Sequence, residues 1–322
     1  MATPIAIHHG IDAVPDGFGP CAATIGVFDG VHRGHRALAR RVVHVARASD
    51  LRPIVVTFDR HPLELIAPEH APPLLTSVEE RAERFGELGI EALVVLTFDE
   101  AMRNLSAEDF IRDVLVGTID ARQIVIGANF KFGRNQQGTI ETLTDLAPVE
   151  GFGVTIFALQ MDDDEIVSSS MIRRLVADGE VEEAAIKLDR PFTLTGRVGH
   201  GAGRGDGLGY PTANLELDPR RLIPKMGVYC GWAVLEDGSR HPMAVNVGLN
   251  PTFEDRSGPV VEAYLLDFRG DLYGAQLVLE FTHRLRDEAK FESVEALVRQ
   301  IDEDVARTRE LLGQPPRAGA AS

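Results

Sequence analysis

Ala22-Ala-Thr-Ile-Gly-Val-Phe-Asp-Gly-Val-His-Arg-Gly-His35 is the stretch that decides the first half of the fold. Its opening, 22–25, is a short apolar run of the kind expected of a strand buried on both faces. The decapeptide Gly26 to His35 follows at once, and a helical pattern runs from about Arg36 to Ala48. A glycine-rich turn between a buried strand and a helix offers free N–H groups and the positive end of the helix dipole. His32 and His35 add ring N–H donors, and Gly34, which lacks a Cβ, lets a ligand approach the backbone. The quartet His-x-Gly-His in this setting suits nucleotide phosphates. Stripped of its setting, the same stretch is a turn with two surface histidines.

On the C-terminal side of this stretch, four more short apolar runs, 54–57, 93–96, 124–126 and 154–157, alternate with helical patterns. Ser77 with Glu80 fits a capping box, and Ser106 with Asp109 has the equivalent spacing. This alternation predicts a doubly wound α/β domain with a parallel sheet. Two helices, from Ser169 to about Asp178 and on through Ala185, close that half. The pattern changes at Asp189-Arg-Pro-Phe192. From there the chain reads as strands at 192–198, 227–235, 242–247, 260–266 and 276–285, with turn clusters at 236–238 and 256–259. Short strands at such spacing predict a small antiparallel β-barrel. A last helix starts near Ser293 and carries Val294, Leu297, Val298, Ile301, Val305 and Leu312 on one face, expected to pack on the barrel. The Pro/Gly/Ala tail after Gly313 reads as disordered. Two domains are expected, 1–186 and 187–314, with the tail at 315–322.

The 322 residues suffice for two cores, and 44% hydrophobic with 25% charged residues is ordinary globular composition. A net charge of −16 argues against nucleic-acid or membrane-surface binding, so any anion site must be built locally. Cys21 and Cys230 have neither metal-ligand nor redox spacing. With no signal-peptide pattern and no apolar run of spanning length, the expected location is the cytoplasm. Oligomeric state is left open.

Three further clusters fall at the ends of the first-half elements. Val167-Ser-Ser-Ser-Met-Ile-Arg173 opens a helix with hydroxyls and an arginine, which suits an anion, although a serine N-cap with a solvated arginine explains it too. Gly127-Ala-Asn-Phe-Lys-Phe-Gly133 follows a strand, at the carboxyl edge where α/β sheets bind ligands. Asn129 can hydrogen-bond there, and Phe130 or Phe132 can pack on a flat ring or in the core. Thr57-Phe-Asp-Arg-His-Pro62 ends its strand likewise, bringing His61 toward the same edge. In the barrel half, Gly201-Ala-Gly-Arg-Gly205 is a loop suited to covering phosphates. Leu208-Gly-Tyr-Pro-Thr-Ala-Asn214 carries hard oxygen donors at Thr212 and Asn214, though Pro, Thr and Asn also mark a turn. Glu262 sits in an apolar strand, either as a general base or as an outward-facing carboxylate.

The decapeptide, the 127–133 loop and the serine-rich helix start resemble, in order, the N-terminal half of prokaryotic bifunctional riboflavin kinase/FMN adenylyltransferases (FAD synthetases), a half similar to Rossmann-like His-x-Gly-His nucleotidyltransferases. Pro211-Thr-Ala-Asn214, Asn250-Pro-Thr-Phe253, the Glu262 strand, Asp271-Leu-Tyr-Gly274 and the stretch from Arg284 to Phe291 resemble bacterial riboflavin kinases in the same way. The likeness spans about residues 5 to 312. It implies catalytic roles for His32, His35 and Glu262, and ATP or phosphate contacts for Gly26, Phe28, Asp29, Gly34, Ser168, Ser169, Arg173, Gly201, Gly203 and Arg204. It further implies flavin contacts for His61, Asn129 and Phe130, and Mg²⁺ held with ATP by Thr212 and Asn214. The implied substrates are riboflavin, FMN and ATP, and the implied products FMN and FAD. The chain departs from the family pattern at Arg60 (usually proline), Met171 (usually arginine), Asp206 (usually basic or neutral) and Tyr264 (often histidine). The alternatives are a riboflavin kinase with a degenerate first domain, another nucleotidyltransferase such as a cytidylyltransferase, and a non-catalytic flavin-binding regulator.

Overall fold

Strand Cys21–Ile25 is buried along its whole length, and its side chains divide between two cores. Cys21, Ala23 and Ile25 join a core with Phe110, Ile111 and Leu143, while Ala22 joins another with Leu38, Val42 and Phe85. That two-sided burial defines a doubly wound sheet. In this computed structural model, which describes residues 5–158, 167–200, 209–249 and 259–315, the chain divides into two units, Met1–Ser169 and Ser170–Ser322.

The first unit is built on strands β1 (Ala6–His9), β2 (Cys21–Ile25), β3 (Arg52–Phe58), β4 (Ala92–Leu96), β5 (Ala121–Gly127) and β6 (Gly153–Phe157). They pair in the order β1-β4-β3-β2-β5-β6, every pair parallel. The order reverses direction around β2, so the loop leaving β2 lies at the switch point where such sheets bind ligands. The helix Arg33–Ala48 buries Leu38, Ala39, Val42, Val43 and Ala46 on one face. Ser77 and Glu80 form the expected capping box at the start of the helix Val78–Gly86. Ser106 caps Ala107–Asp109 as the spacing predicts, but the helix then continues over Phe110–Thr118 with π-type winding. β1 was not expected, because Ala6-Ile-His-His9 is too short and polar to read as a buried strand.

The second unit holds the helices Ser169–Asp178 and Val181–Leu188, apart from the first residue of the former. A closed antiparallel barrel follows, with β7 (Phe192–Gly199), β8 (Ala213–Glu216), β9 (Gly227–Val234), β10 (Arg240–Leu249), β11 (Pro259–Leu265) and β12 (Gln276–Arg286). Its order is β10-β11-β8-β7-β12-β9. Leu194, Val245, Val247, Val261, Ala263, Leu277, Leu279 and Phe281 are fully buried, so the barrel is filled by side chains. β8 lies where Pro211-Thr-Ala-Asn214 reads as a turn, and it supplies a strand the sequence does not announce.

The last helix, Val294–Leu311, is capped by Ser293, whose hydroxyl accepts from Ala296 N–H. Val298, Ile301 and Val305 pack against Tyr210, Tyr264 and Leu266. Val294, expected on that face, is the first helical residue and is 57% exposed, outside the cluster that Val298, Ile301 and Val305 join. The expected tail falls largely on residues 316–322, outside the described residues, as do Gly201, Gly203, Arg204, Asp206 and the run 250–253.

Candidate functional site

In the first unit, the turn after β2 is a strained loop held from below. Phe28, Gly30 and Val31 have φ of 52°, 83° and 39°, a region that costs non-glycine residues about 1–3 kcal/mol each. Gly26 is required by the same geometry, since a Cβ there would stand 2.9 Å from the Phe28 ring. What holds the loop is Asp29, which is 1% exposed. Its carboxylate accepts from Leu75 N–H (3.0 and 3.1 Å), Thr76 N–H (2.9 Å) and the Thr76 hydroxyl (3.0 Å). Gly30 N–H donates to Thr76 Oγ1 at 2.8 Å. The Asp29 side chain therefore faces the 75–76 backbone, a tether between loop and loop, and Thr76 is a partner that sequence reading missed.

His32 is the N-cap of the helix Arg33–Ala48, and its Nδ1 accepts from His35 N–H at 3.4 Å. That assignment puts the proton of a neutral His32 ring on Nε2, the atom that can donate to a phosphate oxygen. The His32 and His35 rings stack with centroids 3.5 Å apart, and His35 meets the Phe28 ring edge-on at 5.1 Å. Gly34 lies in the first turn between them. The serine-rich segment reaches this loop through Ser169, whose hydroxyl donates to Asp29 O at 2.8 Å. Ser168 beside it is exposed; Arg173 lies further along the helix, in the second unit.

His61 is half-buried beyond β3; its Nδ1 accepts from Leu63 N–H at 3.2 Å and its own N–H donates to Glu64 Oε1 at 3.0 Å. Arg60, where the family pattern has proline, is exposed and pairs with Asp59 at 3.3 Å. After β5, Asn129 is exposed, and Phe130 stacks on the buried Phe132 with centroids 5.3 Å apart. Of the two readings left open for these rings, Phe132 is core and Phe130 borders it.

Sequence reading also missed Arg81, which is 3% exposed under the same loop. Its Nη1 donates to Val27 O (2.8 Å), Thr57 Oγ1 (2.8 Å) and Phe58 O (3.2 Å), and its Nε to Ser77 O (3.3 Å). Burial pulls this guanidinium below its ordinary pKa, against the opposing influence of Asp29, Glu79, Asp59 and Glu80.

In the second unit, Glu262 points outward from the barrel, between the inward-facing Val261 and Ala263. Strand register aligns it with Asn246 on one side and Asn214 on the other. Directly opposed side chains on one sheet face have Cβ atoms about 4.5–5.5 Å apart. Three polar side chains thus form a row across β10, β11 and β8. The outward face is nevertheless covered: Glu262, Thr212, Asn246, Tyr264 and Phe291 line a cavity of about 330 Å³ closed by the last helix. Glu262 faces out of the barrel, as one of its two readings has it, yet that face lines a pocket. Asn246, which the sequence marks only as the start of a run, lines the same pocket. Tyr264 meets Tyr210 edge-on at 5.3 Å, and Tyr210 in turn hydrogen-bonds Asp302 on the last helix.

The pocket's far wall is tied by charge. Arg286 donates to both oxygens of Asp304 at 2.7–3.1 Å, and Gln300 donates to the same carboxylate at 3.3 Å. No group of three or more His, Cys, Asp or Glu among the described residues could hold a metal ion, so cation ligands here would be hydroxyl, amide and single carboxylate oxygens.

Each half now has a candidate site: a strained glycine-rich loop at a sheet switch point, and a carboxylate beside hydroxyl and amide side chains in a pocket. Residues 16–171 match the FAD synthetase family and residues 188–312 the riboflavin kinase family. A bifunctional riboflavin kinase/FMN adenylyltransferase of Pseudomonas fluorescens is 38% identical over 90% of this chain and 93% of its own length. The protein of the same description from Escherichia coli K12 is 35% identical over 91% and 93%. This chain belongs to the bifunctional riboflavin kinase/FMN adenylyltransferase family.

A solved structure described as a macrolide-efflux protein from Streptococcus pneumoniae shares the fold with a TM-score of 0.85 and 31% identity, over 95% of this chain and 99% of that one. Among the described residues here, no helix is long and apolar enough to cross a membrane. The family membership fits both halves: an α/β sheet unit of the nucleotidyltransferase kind and a barrel unit with a C-terminal helix.

Proposed function

We propose that the barrel unit phosphorylates riboflavin to FMN and that the sheet unit adenylylates FMN to FAD, with the residue roles that follow. The functional halves are taken as residues 1–186 and 187–314. The observation that carries the reading is the pocket that holds Glu262 together with Thr212, with Asn214 in register beside it.

In the first reaction, Glu262 accepts the proton of the ribityl 5′-hydroxyl as that oxygen attacks the γ-phosphorus of ATP; the bond to the bridging oxygen breaks and ADP leaves. The pocket half-buries the carboxylate, and its volume of about 330 Å³ is within the usual range for small-molecule sites. Thr212 and Asn214 supply neutral hard oxygens that suit Mg²⁺ accompanying ATP. When bound, Mg²⁺ would neutralise charge on the phosphate oxygens. Positioning and charge stabilisation supply most of the acceleration in such transfers.

In the second reaction, an FMN phosphate oxygen attacks the α-phosphorus of ATP and pyrophosphate departs. His32 and His35 donate to phosphate oxygens as charge builds on them, and the N–H groups of the loop and first helical turn do the same. Ser168, Ser169 and Arg173 are assigned to the phosphates, as are Gly201, Gly203 and Arg204 in the other half. His61, Asn129 and Phe130 are assigned to the flavin. The buried, unpaired Cys21 and Cys230 suit a reducing cytoplasm.

The test separates products after incubation with riboflavin, ATP and Mg²⁺. Wild type should yield FMN and FAD. His32→Ala should stop at FMN. Glu262→Gln should leave riboflavin untouched yet convert supplied FMN. Loss of both activities in both variants would refute the two-site assignment, and FMN without FAD from wild type would leave a kinase alone.

A further inference from the structure

Arg81 is a buried charge that neither reaction, as described, employs. All its hydrogen bonds go to neutral oxygens, and two of them fall on Val27 O and on the Thr57 hydroxyl that donates to that same carbonyl. Val27 O accepts from Arg81 Nη1 at 2.8 Å and from Thr57 Oγ1 at 3.0 Å, while the same Nη1 reaches Thr57 Oγ1 at 2.8 Å. Burying a guanidinium is costly unless an anion or a set of dipoles compensates it. Four acidic side chains are near enough to favour its charge, yet none hydrogen-bonds it and burial outweighs them.

The Val27 carbonyl is one end of a trans peptide whose other end is the Phe28 N–H. In a planar trans peptide these two groups point in opposite directions. A cation drawing on the carbonyl therefore polarises the N–H and strengthens the bond it donates, as in any hydrogen-bond chain at low dielectric. That N–H belongs to the loop assigned above to ATP phosphates.

We propose that Arg81 is a positioning residue of the adenylyl-transfer site: by clamping Val27 O together with Thr57, it fixes and polarises the Val27–Phe28 peptide toward an ATP phosphate oxygen. Its charge, set behind the loop, adds attraction for the polyphosphate, and the bound nucleotide relieves the cost of burying the cation. Its bond to Phe58 O also ties the loop after β2 to the loop after β3, which carries His61. This inference rests on adenylyl transfer in the sheet unit.

The experiment compares wild type, Arg81→Lys, Arg81→Gln and Thr57→Ala in the full chain, measuring kcat and KM for ATP and for FMN in FAD formation. Riboflavin phosphorylation and thermal unfolding are followed in the same preparations. Arg81→Gln, which keeps donors but loses the charge, should raise KM for ATP about tenfold or more, the scale of a lost charge-assisted hydrogen bond. Riboflavin phosphorylation should hold within twofold, and KM for FMN should rise less than KM for ATP. Arg81→Lys should recover most of the ATP affinity, and added salt should weaken ATP binding in wild type more than in Arg81→Gln. Thr57→Ala, which removes only the second donor, should raise KM for ATP about threefold. Unchanged KM in Arg81→Gln, or equal loss in Gln and Lys variants, overturns the proposal. If Arg81→Gln unfolds, Thr57→Ala decides, and an unchanged KM for ATP there overturns it. Failure of wild type to make FAD at all is a separate result, which removes the adenylyl-transfer reading itself.

Discussion

Replacing Asp29 with alanine isolates the tether under the loop that follows β2. The carboxylate satisfies two buried backbone donors, Leu75 N–H and Thr76 N–H, and holds a loop in which Phe28 and Val31 have positive φ. Each orphaned buried donor costs about 1–3 kcal/mol, so the pair gives about 2–6 kcal/mol, reduced where water enters the space left by the side chain. A net loss near 3 kcal/mol is about a hundredfold in the population of the strained loop. FAD formation from supplied FMN should fall by about that factor. Riboflavin phosphorylation in the same tube should be unchanged, because Glu262 and its pocket belong to the other unit. Hydrogen exchange should report faster opening at Leu75 and Thr76 than at the buried strand β5. Asp29→Asn keeps one acceptor oxygen and should lie between. If Asp29→Ala makes FAD within threefold of wild type and exchange at 75 and 76 is unchanged, the tether is not what shapes the loop.

Three further outcomes follow from the geometry. Gly26→Ala sets a Cβ 2.9 Å from the Phe28 ring, so that ring must move; kcat/KM for FAD formation should drop at least tenfold with riboflavin phosphorylation untouched. Burial pushes the Cys21 thiol up to about 12 from 9.0. Above pH 9 the unfolded chain releases this proton and the native state keeps it, so stability falls with rising pH by about 1.4 kcal/mol per unit until pH 12. Denaturation between pH 9 and 11 should therefore show a shallower pH slope for Cys21→Ala than for wild type. Asp304→Ala strands the Arg286 guanidinium in the pocket wall, at about 3 kcal/mol to the barrel unit, and should raise the KM for riboflavin without altering FAD formation from FMN.

Periodicity made the sheet, the barrel and the main helices legible, because each buries a face whose spacing is written locally. β1 and β8 escaped for opposite reasons. Ala6-Ile-His-His9 is held by its parallel partner β4 rather than by its own pattern, and Ala213–Glu216 hides in a segment rich in turn formers. The π-wound stretch Phe110–Thr118 has the apolar content of a helix, and nothing in it announces the wider winding. At the sites, residue types were readable and partners were not. Asp29 looks like a ligand in a glycine loop until Leu75 and Thr76, distant in sequence, close on it. Glu262 looks exposed on an alternating strand, and only the last helix turns that exposed face into a pocket.

The barrel is, in effect, an inside-out enzyme. Its interior is filled with Val, Leu, Ala and Phe, while the Asn214, Glu262 and Asn246 row stands on its outer wall. Alternation along each strand thus sorts residues into two independent alphabets, one read by the core and one by the ligand. Volume-conserving exchanges at Val261, Ala263 or Leu279, which are buried and do not line the pocket, can tune rigidity while leaving the chemistry unaltered. Selection or design can likewise rewrite the outer positions, and the helix that roofs them, without reopening the question of whether the barrel closes.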